Sequence, residues 1–205
     1  MFINNFIYFH IGVCILLILF EIAWAQYIKL HGIRLKRNTE KYKEQIQEQI
    51  EYINLTGKIR RKHGRMFRRR LKNVNNLMAF EKAYSEIGEK EDISEYRKKM
   101  LYTFVKLSIY YRTRKNEMEK AYFAYVIGKL FTNIESEYVL SVFIGTLYNF
   151  LESKSIYCKI NSMNAIYSIG TIEHIIRAVS IINKNPYIII VFKFKFPALK
   201  LSNTI

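Results

Sequence analysis

No formally charged side chain occurs from Met1 to Phe20, and Phe6–Phe20 is almost wholly Ile, Leu, Val and Phe, broken by Tyr8, His10, Gly12 and Cys14. A helix of about 20 apolar residues crosses the ~30 Å hydrocarbon core of a bilayer. Phe2 to Ala25 meets that length when Glu21 lies near the interface, with Trp24 and Tyr27 where an aromatic belt belongs. Residues 1–28 therefore read as a transmembrane signal anchor. Two other readings compete. A buried core helix passes the same test, although such helices rarely run this long without polar relief. A cleavable signal peptide is suggested by Ala23-Trp24-Ala25, which has the small-x-small form of a cleavage site. Met1–Asn5 carries no Lys or Arg, whereas Lys29, Arg34, Lys36 and Arg37 follow the apolar run. By the positive-inside rule this predicts a single-pass protein of the cell membrane, with its N-terminus outside and its body cytoplasmic.

The charge that follows is unevenly distributed. Residues 29–72 hold 15 Lys/Arg against 4 Glu, a net +11 of the chain's +16. The stretch 58–72, KIRRKHGRMFRRRLK, contains Lys58, Arg60, Arg61, Lys62, Arg65, Arg68, Arg69, Arg70 and Lys72 and no acid. Contact with anionic lipid is the first reading, worth ~1 kcal/mol per basic residue near the surface. Nucleic-acid binding is the second, because basic patches neutralise phosphates; no helix-turn-helix, zinc-finger or RNA-recognition motif accompanies the patch. A solvated face that only fixes topology is the third. Just upstream, Tyr42, Ile46, Ile50 and Ile53 fall at helical spacing with Glu and Gln between them, over a stretch too short for a coiled coil. Residues 29–72 thus read as a basic juxtamembrane helical linker.

Beyond it the chain reads as all-α. Half of all residues are hydrophobic, and two prolines and eight glycines leave little punctuation for a many-stranded fold. Apolar stripes recur at three and four: Phe67, Leu71, Val74, Met78; Ile93, Tyr96, Met100, Phe104, Leu107, Tyr111; Val139, Phe143, Leu147, Phe150; and Ile172, Ile175, Ile176, Val179. Asp92 with Glu95 forms a capping box, Asn133 is placed to cap a helix starting near Glu135, and Gly170-Thr171 reads as a left-handed cap followed by an N-cap. Gly128 and Gly170, 42 residues apart, each follow a similar apolar text, AYFAYVI and NAIYSI. Small Ala124 and Ala165 in these segments leave room for a close helix neighbour. Two helices per 40–47 residues is about the period of HEAT and armadillo arrays.

The segment CKINSMNAIYSIGTIEHIIRAVSII resembles a HEAT repeat, and the resemblance extends loosely over residues 95–183. The whole layout is similar to uncharacterised membrane-anchored HEAT-repeat proteins of low-GC Gram-positive bacteria, although the Pro and Asp of many HEAT units are missing. The resemblance implies a short α-solenoid over residues 73–185 that scaffolds a protein partner, in a setting such as envelope polysaccharide assembly. A plain helical bundle is the alternative. The tail, 186–205, departs from the pattern: YIIIVFKFKF reads as a strand between Pro186 and Pro197, either an edge hairpin or the remnant of a truncated repeat.

Catalytic chemistry is not legible. The single aspartate, Asp92, sits at a cap, and His10, His31, His63 and His174 show no metal-ligand spacing. Cys14 and Cys158 build no disulfide framework, and Cys158 reads as a packed thiol more readily than as a nucleophile. No enzyme activity and no cofactor are expected. The leading expectation is a membrane-anchored scaffold, with a tethered binder of nucleic acid or another anionic polymer as the alternative.

Overall fold

The computed structural model describes residues 2–90, 92–132 and 134–183, with side chains from His10 onward; the strand expected at 187–196 lies outside these residues. They form eight helices and, among the described residues, no strand. The helices are α1 (Phe2–Thr56), α2 (Arg61–Arg70), α3 (Val74–Gly88), α4 (Ser94–Arg112), α5 (Glu117–Leu130), α6 (Glu137–Leu151), α7 (Ile156–Ile169) and α8 (Ile172–Asn183).

The anchor and the first part of the linker, up to Thr56, are one uninterrupted helix. Its 18-residue apolar window has a mean hydropathy of 2.1 and no buried residue, so no protein core receives it. Further along α1, Thr39 and Gln49 are buried, and Tyr42, Ile46, Ile50 and Ile53 belong to the same core as the later helices. The stretch read as a linker is therefore in part a wall of the body. Its isoleucines repeat at the helical period, and only a packed partner keeps such a stripe from water.

The helix ends follow from local chemistry. Gly57, at φ +66°, takes the left-handed conformation that stops α1, and its N–H donates to Ile53 O at 2.7 Å. The left-handed turn expected at Gly170 is absent: that residue is extended, at φ −90° and ψ 172°. Asn73, Asn116, Ser136 and Ser155 cap α3, α5, α6 and α7 by accepting from backbone amides in the first turn. Asn133 lies outside the described residues, and α6 is capped three residues later by Ser136. Asp92 sits one residue before the N-cap position, Ile93, and accepts from the N–H of Ser94 at 2.8 Å. The Asn73 cap also breaks the expected first stripe, placing Phe67 on α2 and Met78 on α3.

The helices pack in two rows, α1·α3, α3·α5, α5·α7 and α2·α4, α4·α6, α6·α8. Paired contacts fix their directions. His31–Asn75 and Lys43–Glu86 set α3 parallel to α1. His63–Tyr96 and Leu71–Tyr111 set α4 parallel to α2. Between the rows runs a chain of aromatic rings: Tyr42, Phe67, Phe80, Phe104, Phe131 and Phe143 follow one another at centroid distances of 5.3, 5.5, 5.7, 4.7 and 5.7 Å. Such edge-to-face and tilted pairs add ~0.5–1.5 kcal/mol each beyond their buried area.

Helix α5 lies tightly on α7. A Cβ on Gly128 would lie 2.7 Å from Ala165 Cα, so Gly128 is a packing residue inside α5 and not the helix end expected of it. Ala124 and Ala165 are both buried there. Asn161 donates to Ala121 O at 3.1 Å and Ser168 to Gly128 O at 2.7 Å, an offset of 40 residues at both ends of the interface. Gly128 and Gly170 are accordingly not equivalent positions. The last stripe is also only partly internal: Ile175 and Val179 are partly buried against the core, whereas Ile172 and Ile176 are 76% and 64% exposed.

Candidate functional site

The nine basic residues of 58–72 are all exposed, but α2 carries them in different directions. Lys58 and Arg60 lie at the connection from α1, where Arg60 ion-pairs with Glu48 and covers the Tyr52 ring at 4.5 Å. From there α2 runs back along α1, antiparallel to it, until Arg70 lines an open cleft of about 250 Å³ with Asn38, Lys41, Tyr42, Gln45 and Asn76. Lys62, Arg65, Arg69 and Arg70 edge a second recess of about 610 Å³ with Met66, Asn73 and Asn76. Lys72, past the end of α2, sits over the Tyr110 ring at 4.8 Å. The local reason for ending α2 in Arg68, Arg69 and Arg70 is the partial negative charge of a helix C-terminus, which cations stabilise.

A third recess, of about 400 Å³, lies between α2 and α4. Arg61, Arg65 and Arg68 line it from α2, and Lys99, Tyr102 and Lys106 from α4. A Cβ on Gly64 would come within 3.3 Å of Thr103 Oγ1, which shows how closely the two helices approach at its floor. None of Arg61, Arg65, Arg68, Lys99 and Lys106 has an ion-pair partner among the described residues, and Lys106 stands 5.1 Å from the Tyr102 centroid. Five unpaired cations around an aromatic ring form a surface suited to a polyanion. The sequence reading missed the α4 side. Its only local signal is the i, i+3, i+7 spacing of Lys99, Tyr102 and Lys106 on one helix face.

Beneath this surface the body is anchored by His63, which stacks on Phe67 at 4.2 Å and meets Tyr96 Oη at 3.0 Å. Burial lowers its pKa to about 4, so the ring is neutral at physiological pH. On the other row, half-buried Tyr122 donates to buried Glu81 at 3.2 Å, and Lys129 closes an ion pair on the same carboxylate. These groups join α3 to α5. Cys158 is buried among Ser153 and Ser162, and burial pushes its thiol up, away from the nucleophilic thiolate. His174 Nδ1 instead accepts from the Thr171 N–H at 3.1 Å.

Trp24 and Tyr27 lie on the exposed apolar part of α1. Phe20, Trp24, Tyr27 and His31 form a column of rings along one side of it, at centroid spacings of 6.3, 5.8 and 6.3 Å. The column ends at a cleft of about 380 Å³ between α1 and the body, lined by Tyr27, Leu30, His31, Arg34 and Leu35 on one side and by Asn73, Asn75 and Asn76 on the other.

No protein-family model matches the chain, and no curated protein and no solved structure matches it.

Proposed function

We propose that the chain is a single-pass membrane protein whose helical body works as an interaction scaffold on the cytoplasmic face. The observation that carries this reading is α1: its apolar window is wholly outside the core, while the same helix continues, without a break, into the buried wall of the body. An apolar helix with no protein around it belongs in lipid, where its backbone is satisfied internally. The basic flank favours retention of the body inside. The two-row packing supports a short α-solenoid of the HEAT-like kind, in which stacked helix pairs leave an extended surface for a protein partner. Tyr138, Tyr157 and Tyr167 are exposed on α6 and α7, the kind of amphipathic residue such a surface uses.

A second reading, an anionic polymer such as nucleic acid held on the body, is favoured by the unpaired cations of the α2–α4 recess. One set of measurements separates them. In intact cells carrying the full chain, residues 58–183 are expected to resist external protease, and the protein to stay in the membrane pellet after alkaline extraction. Digestion from outside overturns the orientation, and release into the alkaline supernatant overturns the anchor. Salt-sensitive binding of duplex nucleic acid by the extracted protein, abolished by Arg65→Glu with Lys106→Glu, would move the second reading ahead of the first.

A further inference from the structure

The helices alternate in direction, so the α2–α3, α4–α5 and α6–α7 turns gather at one end of the body. Side-chain contacts tie them laterally. Lys72, after α2, and Arg114, after α4, both stand over the Tyr110 ring, at 4.8 and 5.4 Å. Ser153, in the α6–α7 turn, donates to Glu117 at the start of α5. This row begins beside the apolar part of α1, because Asn75 meets His31 at 3.4 Å. His31 is seven residues past Trp24, or about 10 Å along the helix axis. Arg60, by contrast, pairs with Glu48, about 36 Å past Trp24 on the same measure. Headgroup potentials decay over a Debye length of ~10 Å at 0.1 M salt.

The two ends also differ in charge. Arg69, Arg70 and Lys72 stand at the first turn, and Arg112, Arg114 and Lys115 at the second; of these six, Arg114 alone has an ion-pair partner among the described residues, Glu119 at 2.8 Å. The connections at the opposite end mix the two signs: Lys58, Arg60 and Lys90 stand there with Glu89, Asp92 and Glu135, and Arg60 is paired with Glu48. A basic end beside the apolar helix and an end of mixed charge away from it orient the body against an anionic surface.

We propose that the α2–α3 and α4–α5 turns form one composite face for anionic lipid headgroups, in which Arg112 and Lys115 act together with Arg69, Arg70 and Lys72. Lys58 and Arg60 belong to the far end and take no part. The proposal rests on the membrane reading above and deepens it: the body stands on the bilayer by one end.

The test uses the full chain with Cys14→Ala, reconstituted into vesicles of phosphatidylcholine alone or mixed with phosphatidylserine. A water-soluble dye is attached at Thr113→Cys, in the second turn, or at Asn54→Cys, near the opposite end; a spin-labelled headgroup lipid quenches it. The dye at 113 is expected to be quenched several-fold more when phosphatidylserine is present. That increment should vanish in molar salt and in Arg69→Glu/Arg112→Glu, while the dye at 54 stays unquenched throughout. Equal quenching at 113 with and without phosphatidylserine, or equal quenching at 54 and 113, overturns the composite face and leaves the anchor standing. Failure of the chain to remain with the vesicles after alkaline extraction overturns both.

Discussion

The two halves of α1 share one continuous backbone and meet opposite fates. From Ile11 to Ile33 its large apolar side chains are exposed on every side, and Ile15 to Phe20 form a run of them without interruption. From Thr39 to Ile53 the apolar residues keep to one stripe, and that stripe is buried against α3 and, through Tyr42, against Phe67 of α2. Uniform hydrophobicity around a helix calls for an apolar solvent on all sides, whereas a stripe calls for a protein partner on one. The contrast teaches that the same secondary structure serves two solvents, and that the angular pattern of side chains decides which.

The sharpest way to break the comparison is to place one carboxylate in each half. Ile46 is 0% exposed, so Ile46→Asp buries an unpaired charge and is expected to cost about 4–5 kcal/mol. The body should unfold in thermal melts while the chain still sediments with membranes. Ile15→Asp should do the reverse, opposing insertion by ~2.5–3.5 kcal/mol and leaving the melting temperature of the detergent-held body unchanged. If the two variants fail alike, the halves are not independent.

A second measurement sharpens the buried half through its packing partner α2. The His63 pKa lies near 4 in the fold, against an ordinary 6.5, because burial disfavours the charged ring. Its folded value is depressed, so the unfolded chain binds the extra proton between those limits. Stability should be full above pH 6.5 and fall by about 3 kcal/mol as pH drops toward 4. Denaturant melts across that window should show the slope, and His63→Gln should flatten it.

The smallest expected effects concern α5 and α6, farther from α1. In Gly128→Ala the new Cβ meets Ala165 Cα at 2.7 Å, and overpacking there should cost ~1–3 kcal/mol. Gly145→Ala, at an exposed position of α6 with nothing within 4 Å, should instead stabilise by ~0.5–1 kcal/mol. Opposite signs in the two melts would separate backbone-level packing at α5–α7 from the side-chain packing that holds α1.

Much of the helical body was legible because its apolar residues repeat at the helical period. Tyr96, Met100, Phe104, Leu107 and Tyr111 are all buried, as their spacing implied. Ile172 and Ile176 obey the same period and are exposed, since periodicity defines a face without saying whether anything packs on it. The caps were legible in kind but not in register. Asn133 and Ser136 have the same chemistry, and only the direction of the following turn selects one. Gly57 and Gly170 are equally permissive residues, and the chain path used the left-handed conformation at the first. The basic stretch was legible as a cluster. Its division between a far connection, the α2–α4 recess and the basic turn depends on α2 reversing against α1.

By itself the sequence determined that the chain begins with an apolar helix, that basic residues follow it, and that the body after them is helical; composition and local periodicity suffice for these, because they depend on neighbours within a few turns. Only the tertiary structure decided that the linker stripe is part of the core, that Gly128 is a contact and not a terminus, and that Lys99 and Lys106 join Arg61, Arg65 and Arg68 around one recess. Those facts depend on residues 30 to 40 positions apart meeting in space, and nothing in a local pattern encodes which distant faces meet.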